Sequence, residues 1–332
     1  MTLVSRYTFK SKEPNPALKA FEEALMRPIV GFRQVKVPRS AGVGVFTAIR
    51  LKEGLTMTLE YYRLNAPMEL SKESVGEPSD VICIAFYDLH LPETAIVDGN
   101  LVVYQEGGVN VYTEDTDLSL RLRLPANTER NVVVVRIARP LLESMLGDPQ
   151  GVFLDELLQR RGSYFISERL SHEMRSVMNE LKAPPAAKAL GKLFYHMKCL
   201  QLIYLLMEQL NKRAAVPIRP ISPDHIGKVL KARSLLIQDL AAPPTIAELA
   251  RETLMSESQL KQLFREVFGA SIYQYFQNSR MEKARQLLAD KKMTVKEAGY
   301  ALGFTNVGHF ARLFERAYNE KPKKFQMKLG AE

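Results

Sequence analysis

The chain has 332 residues, a net charge of +9, 46% apolar residues and two cysteines. This length favours two domains over one core. No apolar run approaches the roughly eighteen residues of a membrane span, and the first residues lack a signal peptide's apolar stretch. Cys83 and Cys199 each lie in an apolar segment and read as small buried hydrophobes, which with the missing signal places the protein in a reducing cytoplasm.

In chain order, residues 33–138 read as short β-rich runs near 43–49, 56–62, 81–87, 101–104, 118–122 and 132–137, separated by glycine clusters such as Glu106-Gly107-Gly108. Six or more strands at this spacing predict a sandwich or barrel. Tyr61, Tyr62, Arg63, Tyr87, Tyr104, Arg121 and Arg123 lie on these strands as candidate lining for a small-molecule pocket. A metal-holding barrel of the cupin type needs clustered histidines with a carboxylate, and the β region offers His90 alone. There is no Ser/His/Asp or Cys/His arrangement, and Gly42-Val43-Gly44 precedes no helix that would cradle phosphate. The expectation is therefore no metal, no cofactor and no enzyme activity.

Helical patterns follow at 140–146, 152–159 and 167–181, the last with Ser167 as its cap. A long helix over 186–212 carries an apolar surface wide enough to pack on the barrel and on a second copy of itself. Pro217, Pro220 and Pro223 mark a semi-rigid linker. The division is a β-rich effector domain at 1–138, a helical packing or dimerisation segment at 139–213, a linker at 214–223 and a third region at 224–332. From Ser222 to the end there are 18 basic and 12 acidic residues, a net of +6 against +3 over the longer remainder. A basic excess of this kind suits a module that contacts phosphates.

After an opening helix over 225–240, this third region contains one pattern twice. Thr245-Ile246-Ala247-Glu248-Leu249-Ala250 precedes a break and Ser256-Glu257-Ser258-Gln259-Leu260-Lys261-Gln262-Leu263-Phe264. Thr294-Val295-Lys296-Glu297-Ala298-Gly299 precedes a break, one residue longer, and Asn306-Val307-Gly308-His309-Phe310-Ala311-Arg312-Leu313-Phe314. Leu260, Leu263, Phe264 and Val267 recur fifty places later as Phe310, Leu313, Phe314 and Ala317, each set a helical stripe of core residues. A short helix, a turn and a second helix with a polar outer face is the helix-turn-helix that enters a major groove. Ser256 and Asn306 are the expected caps. Ser258, Gln259, Lys261 and Gln262 are the first unit's readout candidates, with Arg265 placed near phosphate; in the second, Val307, Gly308, His309 and Arg312 project in the same way. Arg312 suits bidentate pairing with guanine, whereas His309 fits packing or phosphate contact equally well. Lys291-Lys292 reads as a solvated turn, and Lys321, Lys323 and Lys324 as further phosphate candidates. A helix over 271–290 joins the units and fixes their spacing.

This region resembles the DNA-binding domain of the AraC/XylS transcription regulators. The resemblance rests on Ser271-Ile272-Tyr273-Gln274-Tyr275-Phe276, Arg280-Met281-Glu282-Lys283-Ala284-Arg285-Gln286-Leu287-Leu288, Ala301-Leu302-Gly303-Phe304, His309-Phe310-Ala311-Arg312-Leu313-Phe314 and Lys321-Pro322-Lys323-Lys324-Phe325. It covers about a hundred residues, and the order of β-rich domain, helices and reader fits too, in the manner of the subgroup that regulates siderophore uptake. Two positions depart from the pattern: Leu254 stands where the first turn usually has glycine, and Gly299 where alanine is common. The resemblance implies an α+β multidomain chain, with a cupin-like β-barrel and trailing helices followed by an all-α double helix-turn-helix domain. It further implies a homodimeric regulator that binds promoter DNA under control of a small molecule held by the barrel. An alternative is a ligand-binding regulator acting mainly through a protein partner such as RNA polymerase, with weak DNA affinity. Effector, operator and the sign of regulation stay open.

Overall fold

The computed structural model describes residues 7–11, 23, 31–72, 80–89, 93–104, 107–113, 120–147, 152–159, 163–183, 188–213, 218–289 and 293–328. His90, Lys291, Lys292 and the first part of the proline-rich segment lie outside them. The chain divides into two compact units, Met1–Lys228 and Val229–Glu332.

Twelve strands are described in the first unit: β1 (Tyr7–Ser11), β2 (Phe32–Lys36), β3 (Gly42–Lys52), β4 (Leu55–Leu64), β5 (Met68–Lys72), β6 (Val81–Tyr87), β7 (Glu93–Val97), β8 (Asn100–Tyr104), β9 (Gly108–Thr113), β10 (Leu120–Leu124), β11 (Glu129–Ala138) and β12 (Phe165–Arg169). They form a five-stranded sheet ordered β1-β5-β10-β7-β8 and a seven-stranded sheet ordered β12-β9-β6-β11-β4-β3-β2. The described pairings are antiparallel, as in the register Val133↔Leu59 and Val134↔Ala85. Helices α1 (Arg139–Leu146), α2 (Val152–Gln159), α3 (His172–Lys182) and α4 (Gly191–Asn211) accompany the larger sheet.

Strand periodicity of two assigns the faces. Met57, Leu59, Ile84, Phe86, Val109, Val111, Val133 and Val135 point to one side and bury against Leu157, Val177, Cys199, Leu202 and Leu206 of the helices. Their sequence neighbours Ala85, Tyr87, Asn110, Tyr112 and Val132 point to the other side and line a cavity that strands of the smaller sheet also border. The expected barrel region is thus two facing antiparallel sheets with a helical layer outside one of them. Cys83 and Cys199 are buried free thiols, and burial pushes Cys199 up to about 12. Arg139, only 1% exposed, donates to the Leu157 and Leu158 carbonyls at 2.8 and 3.0 Å and so satisfies the open end of α2.

One predicted helix divides. Residues 167–181 are read as helical with Ser167 as cap, but 165–169 form β12 and the helix begins only at His172, capped by Ser171 accepting from the Met174 amide at 3.1 Å. The sequence offers two serines four apart, each with a glutamate within the next two residues. Pairing with β9 takes the first, because Phe165 and Ile166 then bury on opposite faces of the strand. The long helix is shorter than read: Lys188–Leu190 are 3-10 and α4 starts at Gly191.

The second unit is helical throughout its described residues: α5 (Pro223–Gln238), which begins in the first unit, α6 (Ile246–Glu252), α7 (Glu257–Phe268), α8 (Ile272–Ala289), α9 (Val295–Ala301), α10 (Val307–Tyr318) and α11 (Pro322–Lys328). No helix among the described residues is long and apolar enough to cross a membrane.

Candidate nucleic-acid interface and effector cavity

The repeated pattern folds as two equivalent units. Thr245 and Thr294 open α6 and α9 with complete capping boxes, each threonine Oγ1 accepting from the amide of Glu248 or Glu297 at 3.2 Å while that glutamate accepts from the threonine amide at 2.7 Å. These bonds hold both carboxyls below the ordinary carboxylate value, the threonine amide being the largest cause.

Both turns use one left-handed residue nine places after the capping threonine. In the second it is Gly303 at φ +76°, where an added Cβ would meet the Ala241 carbonyl oxygen. In the first it is Leu254 at φ 54°, 84% exposed. The departure at Leu254 therefore leaves the turn geometry intact and stores strain in the backbone of one residue. Gly299 has a packing reason: a Cβ there would stand 3.2 Å from the Phe310 ring, closer than such contacts ordinarily come.

The expected caps are in place. Ser256 Oγ accepts from the Gln259 amide at 3.2 Å, and Asn306 Oδ1 accepts from the His309 amide at 3.0 Å. Leu260, Phe264 and Val267 bury one side of α7, and Phe310 and Phe314 one side of α10, with Leu263 and Leu313 half-buried beside them. The second stripe ends differently from the reading: Ala317 is exposed, and Tyr318 packs its ring on Phe314 instead, 4.8 Å between centroids.

Ser258, Lys261, Gln262 and Arg265 are exposed along α7, with Gln259 half-buried. On α10, His309 and Arg312 are exposed, Val307 is half-buried, and the His309 ring meets the edge of Phe304 at 5.8 Å. Lys261 pairs with Glu257 at 3.0 Å, and Gln262 donates to Glu266 at 3.0 Å, both within α7. Exposed pairs one turn apart are worth only about 0.3–0.5 kcal/mol, so nucleic acid can replace them.

Two aromatic clusters fix the reading helices to the connector. Phe264 and Phe268 of α7 pack on Tyr275 of α8 at 5.5 and 5.0 Å. At the other end Arg280 of α8 donates through Nε and Nη2 to the Leu302 carbonyl at 2.9 and 2.6 Å, and its guanidinium lies 3.5 Å from the Phe304 ring centroid. Burial pulls Arg280 below its ordinary value. Arg285 reaches Tyr318 and Phe325 at 5.3 and 5.7 Å. In sequence Arg280 enters only as part of the run that carries the family resemblance; its role as a tie between connector and second turn becomes visible only in three dimensions.

In the first unit the two sheets border a partly open cavity of about 110 Å³. Of the candidate pocket residues, Tyr87 and Tyr104 line it, their rings edge to face at 5.5 Å. Tyr61 points to the helical layer and donates to the Met178 carbonyl at 3.1 Å, and burial raises its hydroxyl far above the ordinary value. Arg63 is exposed at the strand end, and Arg121 lies outside, 3.3 Å from Glu69. Residues the sequence reading passed over complete the lining, notably Glu93, Asn110, Tyr112, Arg130 and Phe165. Arg130 donates to Glu60 at 2.9 Å and to Glu93 at 3.0 Å. Burial pushes Glu93 above its ordinary value against the pull of Arg130.

Strand β12 joins this cavity to the exit of the unit. Phe165 lines the cavity and stacks on Tyr112 at 6.2 Å. Glu168 accepts from Gln209 at 2.9 Å and from Arg213 at 3.0 Å, at the end of α4. The Ile221 amide donates to Ser163 at 3.3 Å and the Ile218 amide to Glu156 at 2.9 Å. The described part of the proline-rich segment is thereby anchored on the first unit.

A family model described as a helix-turn-helix domain matches residues 249–328, and one described as the regulatory protein PchR N-terminal domain matches residues 42–220. The probable transcriptional regulator LumQ of Photobacterium leiognathi is 24% identical over 179 residues, covering 54% of this chain and 68% of that protein. Regulatory protein PchR of Pseudomonas aeruginosa is 26% identical over 165 residues, covering 49% and 54%. The arabinose operon regulatory protein of Escherichia coli is 27% identical over 125 residues, covering 37% and 43%. The matched segments thus span from 43% to 68% of these relatives' lengths.

Proposed function

The chain belongs to the AraC/XylS family of transcription regulators, in the branch whose N-terminal domain is of the PchR type, and from that premise we propose that it reads two successive major grooves of promoter DNA under control of a small molecule. The observation that carries this reading is the pair of capped helices, α7 and α10, each with a buried stripe and an exposed polar face, clamped to one rigid connector. A cap satisfies the first free amides while the positive end of the helix dipole stays exposed, which suits an end that approaches phosphate. Gln262 and Arg312 are the proposed base readers; Ser258, Gln259, Lys261, Arg265, Asn306 and His309 position the helices or touch the backbone.

The cavity between the sheets is the proposed effector site. Phe165 and Glu168 share β12, so a ligand that moves this wall bears on the anchors of the segment leading to the reader. Homodimerisation is proposed through α4, where Leu193, Met197 and Tyr204 are 60%, 55% and 65% exposed with half-buried Leu200 between them. This spacing of three and four is that of a helix-on-helix seam. The protein acts as a regulator and not as an enzyme.

Gel shifts of the full chain on promoter DNA across a salt series test the DNA reading. Affinity should fall steeply with salt, as phosphate neutralisation requires. Weak, salt-insensitive binding would move the function to a protein partner instead.

A further inference from the structure

The chemistry of the cavity limits what can occupy it. Its walls are largely aromatic and aliphatic, from Tyr87, Tyr104, Tyr112 and Phe165. Among the described lining residues the one cation is Arg130, and it is already bonded to Glu60 and Glu93 at 2.9 and 3.0 Å. A carboxylate ligand would find no uncommitted positive charge and would add a third negative group to a buried cluster. The remaining polar atoms point the same way. Tyr87 is 7% exposed and its Oη has no partner among the described residues, and neither has the Asn110 Oδ1 acceptor. The cavity therefore presents the Glu93 carboxylate and the Asn110 carbonyl and Tyr87 hydroxyl oxygens beside aromatic faces, while its one guanidinium is also bonded to a second carboxylate, Glu60, outside the lining.

We infer that this cavity binds a compact organic ammonium of about single-ring size, with its N–H donors directed to Glu93, Asn110 and Tyr87 and its carbon skeleton against the tyrosine and phenylalanine rings. The volume of about 110 Å³ is of the order of a cavity that holds benzene. Tyrosine rings attract a desolvated cation through their faces, adding to the carboxylate excess. A bound ammonium would bring the Glu60, Glu93 and Arg130 cluster to charge balance with both carboxylates ionised. The inference rests on the effector reading above only for its regulatory meaning, not for binding itself.

The test is calorimetric titration of the full chain with benzylamine, benzyl alcohol and benzoate, which share a ring and differ in charge. Benzylamine should bind at least about tenfold more tightly than either of the others. Glu93→Gln should remove that preference in a chain that still unfolds cooperatively on heating. Tyr87→Phe, which deletes only the unpartnered hydroxyl, should weaken benzylamine severalfold and serves if the first variant does not fold. Equal or tighter binding of benzoate or benzyl alcohol would overturn the inference, as would failure of all three to bind. Benzylamine binding that leaves promoter affinity unchanged would support the ligand class and overturn the effector reading.

Discussion

Two residues in matching positions of the two turns carry opposite consequences. Leu254 adopts φ 54° with 84% of its surface exposed, so it has strain and little packing to lose. Leu254→Gly should stabilise the helical unit by about 0.5–1 kcal/mol, the left-handed penalty exceeding glycine's added chain entropy. Gly303→Ala should destabilise it by about 2 kcal/mol or more, since Cβ meets Ala241 backbone as well as an unfavourable φ. Denaturant unfolding of both variants checks the pair; equal effects would mean that the turns are not equivalent. At this scale the sequence was legible where a residue's role follows from local geometry, as with the caps Ser256 and Asn306. It was not legible where a strand face had to be chosen. Period two says that Tyr61 and Arg63 share a side and that Leu120 and Leu122 share another. It does not say which side looks inward, and Tyr61, Arg63 and Arg121 point away from the cavity that Tyr87 lines.

Elements of the reader start at capping boxes whose glutamates titrate. Glu248 and Glu297 have folded values below the ordinary 4.5. Their contribution is therefore complete above that value and is lost as pH falls through the depressed folded values. Thermal unfolding of the helical unit should show this loss as pH is lowered from about 5 to 3, and a Glu248→Gln/Glu297→Gln variant, which keeps the boxes without the titration, should lose less. An identical pH dependence in wild type and variant would contradict that assignment. Element identity was readable wherever a stripe at helical spacing persisted, as in α7 and α10. It failed at β12, where local capping signals at Ser167 and Ser171 compete and only pairing with β9 decides. The same strand lies on the proposed regulatory route: Glu168→Gln should leave DNA affinity without ligand near wild type and blunt its response to a cavity ligand, measured by gel shift. A full response would remove β12 from the route.

For the whole molecule, the dimer proposed through α4 would carry four reading helices, two from each chain. Leu193→Asp with Tyr204→Asp should yield a monomer of unchanged helical content by analytical ultracentrifugation, and persistence of the dimer would place its interface elsewhere. The doubled reader was legible from sequence because both copies repeat the same buried positions, while their outer faces differ at Gln262 and Arg312. Arg280 and Arg285, which hold the second copy to the connector, were hidden among surface-type cations. The central claim is that α7 and α10 read different bases in adjacent grooves. Selection of bound sites from a random duplex pool by the full chain measures it most directly. Two enriched sequence blocks about 10–10.5 base pairs apart are expected, with Gln262→Ala relaxing one block, Arg312→Ala the other, and each costing about 1–3 kcal/mol on the selected site. A single enriched block, or both substitutions weakening specific and random DNA equally, would contradict it.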